Sequence, residues 1–209
     1  MKLLILSLFV AANIAFAAFG FRVWKYDKLK KTPVYFSIFS LFTAFYFFFV
    51  ALDVFPNREM GSLIVLCWLV MYAMLPWFLR DHIGRQRKVV SIGLSSLFFV
   101  AFIFFFFRIN LFGIITWQHL AHLGLIGLVL TGLLGCIDLK SKENSGWSVY
   151  FALVLILTLL VFEQIITTYS HRSFLESYTF GIVPLDLFPV IFSVVMVIKL
   201  YNNLDSGKK

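Results

Sequence analysis

Thr116-Trp117-Gln118-His119-Leu120-Ala121-His122 opens an apolar run that continues to about Cys136. A helix that crosses a bilayer needs roughly 20 consecutive, mostly apolar residues. This run has that length, and it carries two imidazoles. His119 and His122 are three residues apart and share one helical face, with Gln118 four residues before His122 on a neighbouring edge. Polar groups at membrane depth are costly and by default mark function. One stretch therefore points both to the fold class and to a candidate site.

The same length of apolar sequence recurs along the chain. Seven segments stand out, at about 3–21, 33–54, 60–80, 89–108, 111–137, 147–169 and 181–201. They use up nearly all of residues 1–209, so the expectation is one integral membrane domain. Its fold class is all-α, a seven-transmembrane-helix bundle with short connections. Composition agrees: 61% of residues are hydrophobic and only 13% charged, against roughly 25% charged in an average soluble domain. Phenylalanine alone supplies 27 residues, in runs such as Phe47-Phe48-Phe49 and Phe104 to Phe107.

A net charge of +8 could suggest nucleic acid, but the charge follows the loops. When alternate loops are assigned to two sides, Lys2, Arg58, Arg108 and Arg172 fall on one. The remaining 14 of the 18 lysines and arginines fall on the other. The positive-inside rule then puts the N-terminus outside and the C-terminus in the cytoplasm, in a bacterial inner (plasma) membrane. The lipid bilayer, with its anionic headgroups, is the expected partner of the basic face. No nucleic acid partner is expected.

The first segment has the outline of a signal peptide, with Lys2, an apolar core and Ala15-Phe16-Ala17. Cleavage after Ala17 would leave Arg22 to Lys31 outside and reverse the charge bias, so it reads as a first spanning helix. Asn13 in its middle is expected to bond to a neighbouring helix. Pro56 stops the second helix, close to Asp53. Pro76 is expected to kink the third. His82 falls in a basic cytoplasmic loop. Ser91, Gly93, Ser95 and Ser96 in helix four, and the stripe Gly127, Thr131 and Gly135 in helix five, are packing signals. Cys67 and Cys136 fall at different depths, which argues against a disulfide.

Counting depth gathers the chemistry. Asp53, His119, His122, Glu163, Gln164 and Asp186 all lie within roughly 5–15 Å of the outer boundary at 1.5 Å per residue. Arg58, Glu59, Arg108, Asn110, His171, Arg172 and Glu176 lie above them in the loops. Pro184 and Pro189 are expected to loosen helix seven in its outer third, freeing backbone groups that a cavity can solvate. The ligand-binding candidates are thus Gln118, His119, His122, Glu163, Gln164, Asp186 and Asp53, around a polar pocket open to the outside.

Three readings compete. The first is a ligand- or proton-sensing pocket, because histidines near carboxylates titrate near neutral pH. The second is a divalent metal held by His119, His122, Glu163 and Asp186. The third is polar glue between helices. Retinal chemistry is not expected, because the one lysine of the last helix, Lys199, lies at its cytoplasmic end. No Gly-x-Ser-x-Gly elbow, His-Glu-x-x-His motif or phosphate-binding loop is present.

Phe162-Glu163-Gln164, the loop to Glu176, and Phe180-Gly181-Ile182-Val183-Pro184 leading to Lys199-Leu200-Tyr201 give the second half a likeness. It resembles the membrane region of bacterial seven-transmembrane-helix sensor domains, which precede histidine kinases and diguanylate cyclases. The resemblance implies a sensory module in signal transduction, with output through a cytoplasmic signalling partner. A homo-oligomer fits the same picture. Val183-Pro184-Leu185-Asp186 also resembles membrane lycopene cyclases, although Leu187 replaces the second of that family's paired acids. This leaves a small membrane enzyme, a metal-dependent hydrolase or a lipid or carotenoid cyclase, as the alternative function. No catalytic residue is assigned.

Overall fold

A computed structural model describes residues 2–26, 32–53, 60–83, 88–111, 115–141, 147–170 and 184–206. At several helix ends, those of Asp53 and His82 among them, only the backbone is described. The described residues form seven α-helices: α1 (Lys2–Tyr26), α2 (Thr32–Asp53), α3 (Gly61–Ile83), α4 (Lys88–Phe106), α5 (Trp117–Ser141), α6 (Trp147–Ser170) and α7 (Leu187–Ser206). A single 3-10 turn, Pro184–Asp186, precedes α7. Among the described residues there is no strand, only an isolated bridge between Leu111 and Ile115.

Five of the helices, α1, α2, α4, α5 and α6, are long and apolar enough to cross a membrane. The apolar parts of α3 and α7, Gly61–Trp77 and Leu187–Asn202, are shorter. The side-chain distribution is that of a protein bathed in hydrocarbon. Phe99 is 62% exposed and Leu159 58%, whereas Asn13, Ser40 and Ser193 are fully buried. Contiguous exposed apolar surface on this scale is not tolerated in water, and in lipid the polar groups must turn inward to find partners.

The chain divides into two compact units, one of Met1–Met71 with Pro189–Lys209 and one of Tyr72–Phe188. In the first, α1 and α2 run antiparallel. Phe9 meets Phe47 edge-on with ring centroids 5.0 Å apart, and Gly20 lies against Ser37. Only glycine permits this approach, since a Cβ at position 20 would also lie 3.0 Å from the Pro33 carbonyl oxygen. Phe192 brings α7 onto α2, its ring 5.1 Å from that of Phe39.

In the second unit, Pro76 disturbs the hydrogen-bond ladder of α3, as a proline inside a helix must. Two serines of α4 donate to α3 carbonyls around this proline: Ser91 to that of Pro76 (3.1 Å) and Ser95 to that of Ala73 (2.8 Å). Helix α5 then lies between α4 and α6. Gly127 accommodates Leu94 of α4, and Gly132 accommodates Val154 of α6. Cys136, Tyr150 and Val154 close the α5–α6 end. Cys67 and Cys136 are both buried free thiols.

Two expected helix starts are corrected. Helix five begins at Trp117, not at 111. The chain leaves α4 through Arg108 in a left-handed conformation (φ 52°), and Leu111 and Ile115 exchange two backbone hydrogen bonds of 3.1 Å. Leu111 and Ile115, which the apolar count had given to the helix, thus pair with each other outside it. The last helix begins at Leu187, not at 181. Pro184 opens the 3-10 turn and Pro189 lies in the first turn of α7, where a missing N–H costs nothing. The two prolines therefore set the start of the helix; they do not loosen its outer third.

Candidate functional site

Thr116 caps the N-terminus of α5. Its carbonyl accepts from the Leu120 N–H at 3.4 Å. Its own N–H donates to His119 Nδ1 at 3.3 Å, and its hydroxyl lies 2.9 Å from the same nitrogen. The bond from the Thr116 N–H is one half of a capping box, with histidine in the third helical position where glutamate usually serves. The first imidazole of the motif thus has a structural task. Gln118, in the same turn, is exposed, and Trp117 packs edge-on against Phe105 of α4 at 5.3 Å.

One turn further in, His122 is half-buried and close enough to His119 for their charges to interact. Two residues on, a Cβ at Gly124 would lie 2.8 Å from Cζ of Phe98. Glycine lets that ring press against the α5 backbone. On the other side of Phe98 is Tyr72 of α3, stacked at 6.2 Å and fully buried. The Tyr72 hydroxyl donates to the Leu185 carbonyl at 3.0 Å. The next residue is Asp186, 4% exposed and near enough to act electrostatically on the Tyr72 hydroxyl.

The 3-10 turn that carries Asp186 packs on α6, where Glu163 is 5% exposed and Gln164 half-buried. The antiparallel register between α5 and α6, with Gly132 opposite Val154, extends to bring Glu163 to the level of His122 and Leu123. Tyr72, Phe98, His122, Glu163 and Asp186 therefore belong to one layer of the second unit. Two buried carboxyls at membrane depth are expensive enough to be informative.

Of the residues singled out in the sequence, Glu163 is buried on α6 and Asp186 on the 3-10 turn that packs on it, His122 is half-buried on α5 near His119, and Gln164 is half-buried beside Glu163. Gln118 is exposed. Asp53 ends α2 in the other unit and its side chain lies outside the described residues, as do Arg58, Glu59, His171, Arg172 and Glu176. Arg108 and Asn110 are exposed in the turn after α4. Among the described residues, no three His, Cys, Asp or Glu side chains group closely enough to hold a metal ion.

Tyr72 was not among the sequence candidates. It is the residue that ties the site together, and its only sequence signal is a phenol in the middle of an apolar span. Comparison of the chain with protein-family models, with curated proteins and with solved structures gives no match in any of the three.

Proposed function

We propose that the chain is a seven-helix membrane module, N-terminus outside and C-terminus in the cytoplasm, that senses protons or a small polar ligand. The sensing site is the layer around His122, Glu163 and Asp186, reached from the extracytoplasmic side, and output passes to a cytoplasmic partner. The observation that carries this reading is the burial of two carboxyls, Glu163 and Asp186, on different elements of one unit. Exposure falls from Gln118 through His119 and His122 to these acids, as expected of a polar path leading inward from one face. A bundle held together only by polar glue has no need of two acids, because hydroxyls and amides bridge helices at lower desolvation cost.

The small-enzyme alternative draws less support. Its metal-dependent form needs a convergent donor set, and its cyclase form needs a second acid beside Asp186, where Leu187 stands.

The test uses purified protein in lipid nanodiscs. Tryptophan fluorescence and thermal stability are followed between about pH 5 and 8, the window in which histidine normally titrates. Wild type is expected to change signal across this range. His122→Ala, Glu163→Gln and Asp186→Asn should stay folded and flatten the change. Three variants that respond like wild type would remove the site. Variants that unfold in mild detergent while wild type survives would reduce these residues to structural glue.

A further inference from the structure

Helix α4 lays one stripe along α3. Ser91, Ser95 and Phe98 are four and three residues apart and so share a helical face. All three meet one short stretch of α3. Ser91 donates to the Pro76 carbonyl at 3.1 Å, Ser95 to that of Ala73 at 2.8 Å, and the Phe98 ring stacks on that of Tyr72 at 6.2 Å. These contacts lie within Tyr72–Phe188, a single compact unit.

That stretch is the weak point of α3. Pro76 lies inside the helix. It has no N–H to offer the carbonyl four residues earlier, and its ring crowds the same group. Helices bend at such places. The residue four positions earlier is Tyr72, whose phenol holds the Leu185 carbonyl at 3.0 Å, next to Asp186. A displacement of the 3-10 turn therefore pulls on α3 where its own ladder is interrupted.

The two serines reach across to another helix. In α2 and α6, by contrast, Ser37 turns back to the Pro33 carbonyl, Thr43 to that of Phe39 and Thr158 to that of Val154. The same backward bond is available to Ser95 at the Ser91 carbonyl. A hydroxyl with two acceptors of one kind can exchange them at little cost, because its donor is satisfied in either state.

We infer that α3 carries a hinge at residues 72–76, that Ser91 and Ser95 latch it to α4, and that it passes movement of the Asp186 turn to residues 77–83. As an output route the hinge rests on the proposed sensing function; as a mechanical coupling it does not.

Hydrogen–deuterium exchange in lipid nanodiscs, at one fixed pH and without ligand, tests the coupling. Tyr72→Phe unhooks the turn. It should quicken exchange at residues 185–188 and also at 77–80, by roughly fivefold, the worth of about one net hydrogen bond. Pro76→Ala restores the missing N–H. In that background the effect at 185–188 should persist and the effect at 77–80 should disappear. Ser91→Ala/Ser95→Ala should quicken 77–80 and leave 62–70 unchanged, which decides the matter if Pro76→Ala does not fold. Quickening at 185–188 alone in Tyr72→Phe would overturn the coupling. An effect at 77–80 that survives Pro76→Ala would overturn it as well, because ordinary packing needs no hinge. So would equal quickening along the whole of α3 in the serine variant. A flat pH profile beside the expected exchange pattern would remove the sensing function and keep the hinge; the reverse pair would remove the hinge and keep the sensor.

Discussion

Tyr72 and Leu185 are 113 residues apart in sequence and are joined by a hydrogen bond of 3.0 Å from phenol to carbonyl. The bond fastens the 3-10 turn bearing Asp186 to α3, and both partners are buried. Tyr72→Phe removes the donor and leaves the Leu185 carbonyl buried. A stranded buried acceptor costs about 1–3 kcal/mol. The variant should therefore melt earlier in detergent, and amide exchange of residues 185–188 should quicken while that of α1 does not change.

Gly124 is where α5 yields to the Phe98 ring. Alanine is the better helix former by up to about 1 kcal/mol, but its Cβ would lie 2.8 Å and 2.9 Å from two ring atoms. Overpacking typically costs about 1–3 kcal/mol, so the clash should prevail. Gly124→Ala is expected to lower the melting temperature. The double variant with Phe98→Leu, which shortens the opposing side chain, should recover part of the loss.

His119→Ala removes the Nδ1 that accepts from the Thr116 N–H at the start of α5. A lost N-terminal capping bond costs about 0.5–2 kcal/mol, and the damage should stay local. Faster amide exchange at Thr116, without change near Cys136, is the expected pattern. If His119 acted only as a ligand-binding residue, the Thr116 amide would exchange as in wild type.

Phe99 lies on the lipid-facing side of α4, 62% exposed. An acid near the centre of a spanning helix costs about 2.5–3.5 kcal/mol in membrane insertion. Phe99→Asp should therefore reduce the membrane-inserted fraction of newly made protein, whereas Phe99→Leu should not. Equal yields of the two would mean that α4 does not face lipid at this position.

The proposed orientation makes an independent prediction. A reporter that fluoresces only in the cytoplasm should be bright when fused after Lys209. A periplasmic phosphatase fused at the same point should be inactive. The opposite pair of results would invert every loop assignment at once.

What could be read from the sequence was what depends on length and local chemistry. The apolar runs gave the helices in order, because a bilayer sets a minimum number of apolar residues and little else competes with it. Asn13 was expected to bond to a neighbouring helix, but its amide donates to the Phe9 carbonyl of its own helix; Glu163 and Asp186, singled out as polar groups of the outer third, are buried. The starts of α5 and α7 were not legible. Leu111 and Ile115 are as apolar as helix residues, and only their mutual backbone hydrogen bonds, which leave no mark in sequence, set them outside one. The bond of His119 Nδ1 to the Thr116 N–H was not legible either, because at the first turn of a helix an imidazole can serve the backbone as well as a ligand. Tyr72 was invisible because its partner is a backbone carbonyl, which leaves no mark in sequence.

The first unit is discontinuous: its helices α1 and α2 come from the start of the chain and α7 from the end. A ribosome therefore delivers α1 and α2 to the membrane long before the helix that completes their packing. Until α7 arrives, the face of α2 that carries Phe39 lacks its ring partner. Chains released early, or lacking the last twenty residues, would present this unfinished face to lipid and to membrane proteases. Synthesis of α7 thus becomes a condition for the stability of α1 and α2, and a premature stop near residue 188 should be detected as degradation well before any loss of function is measured.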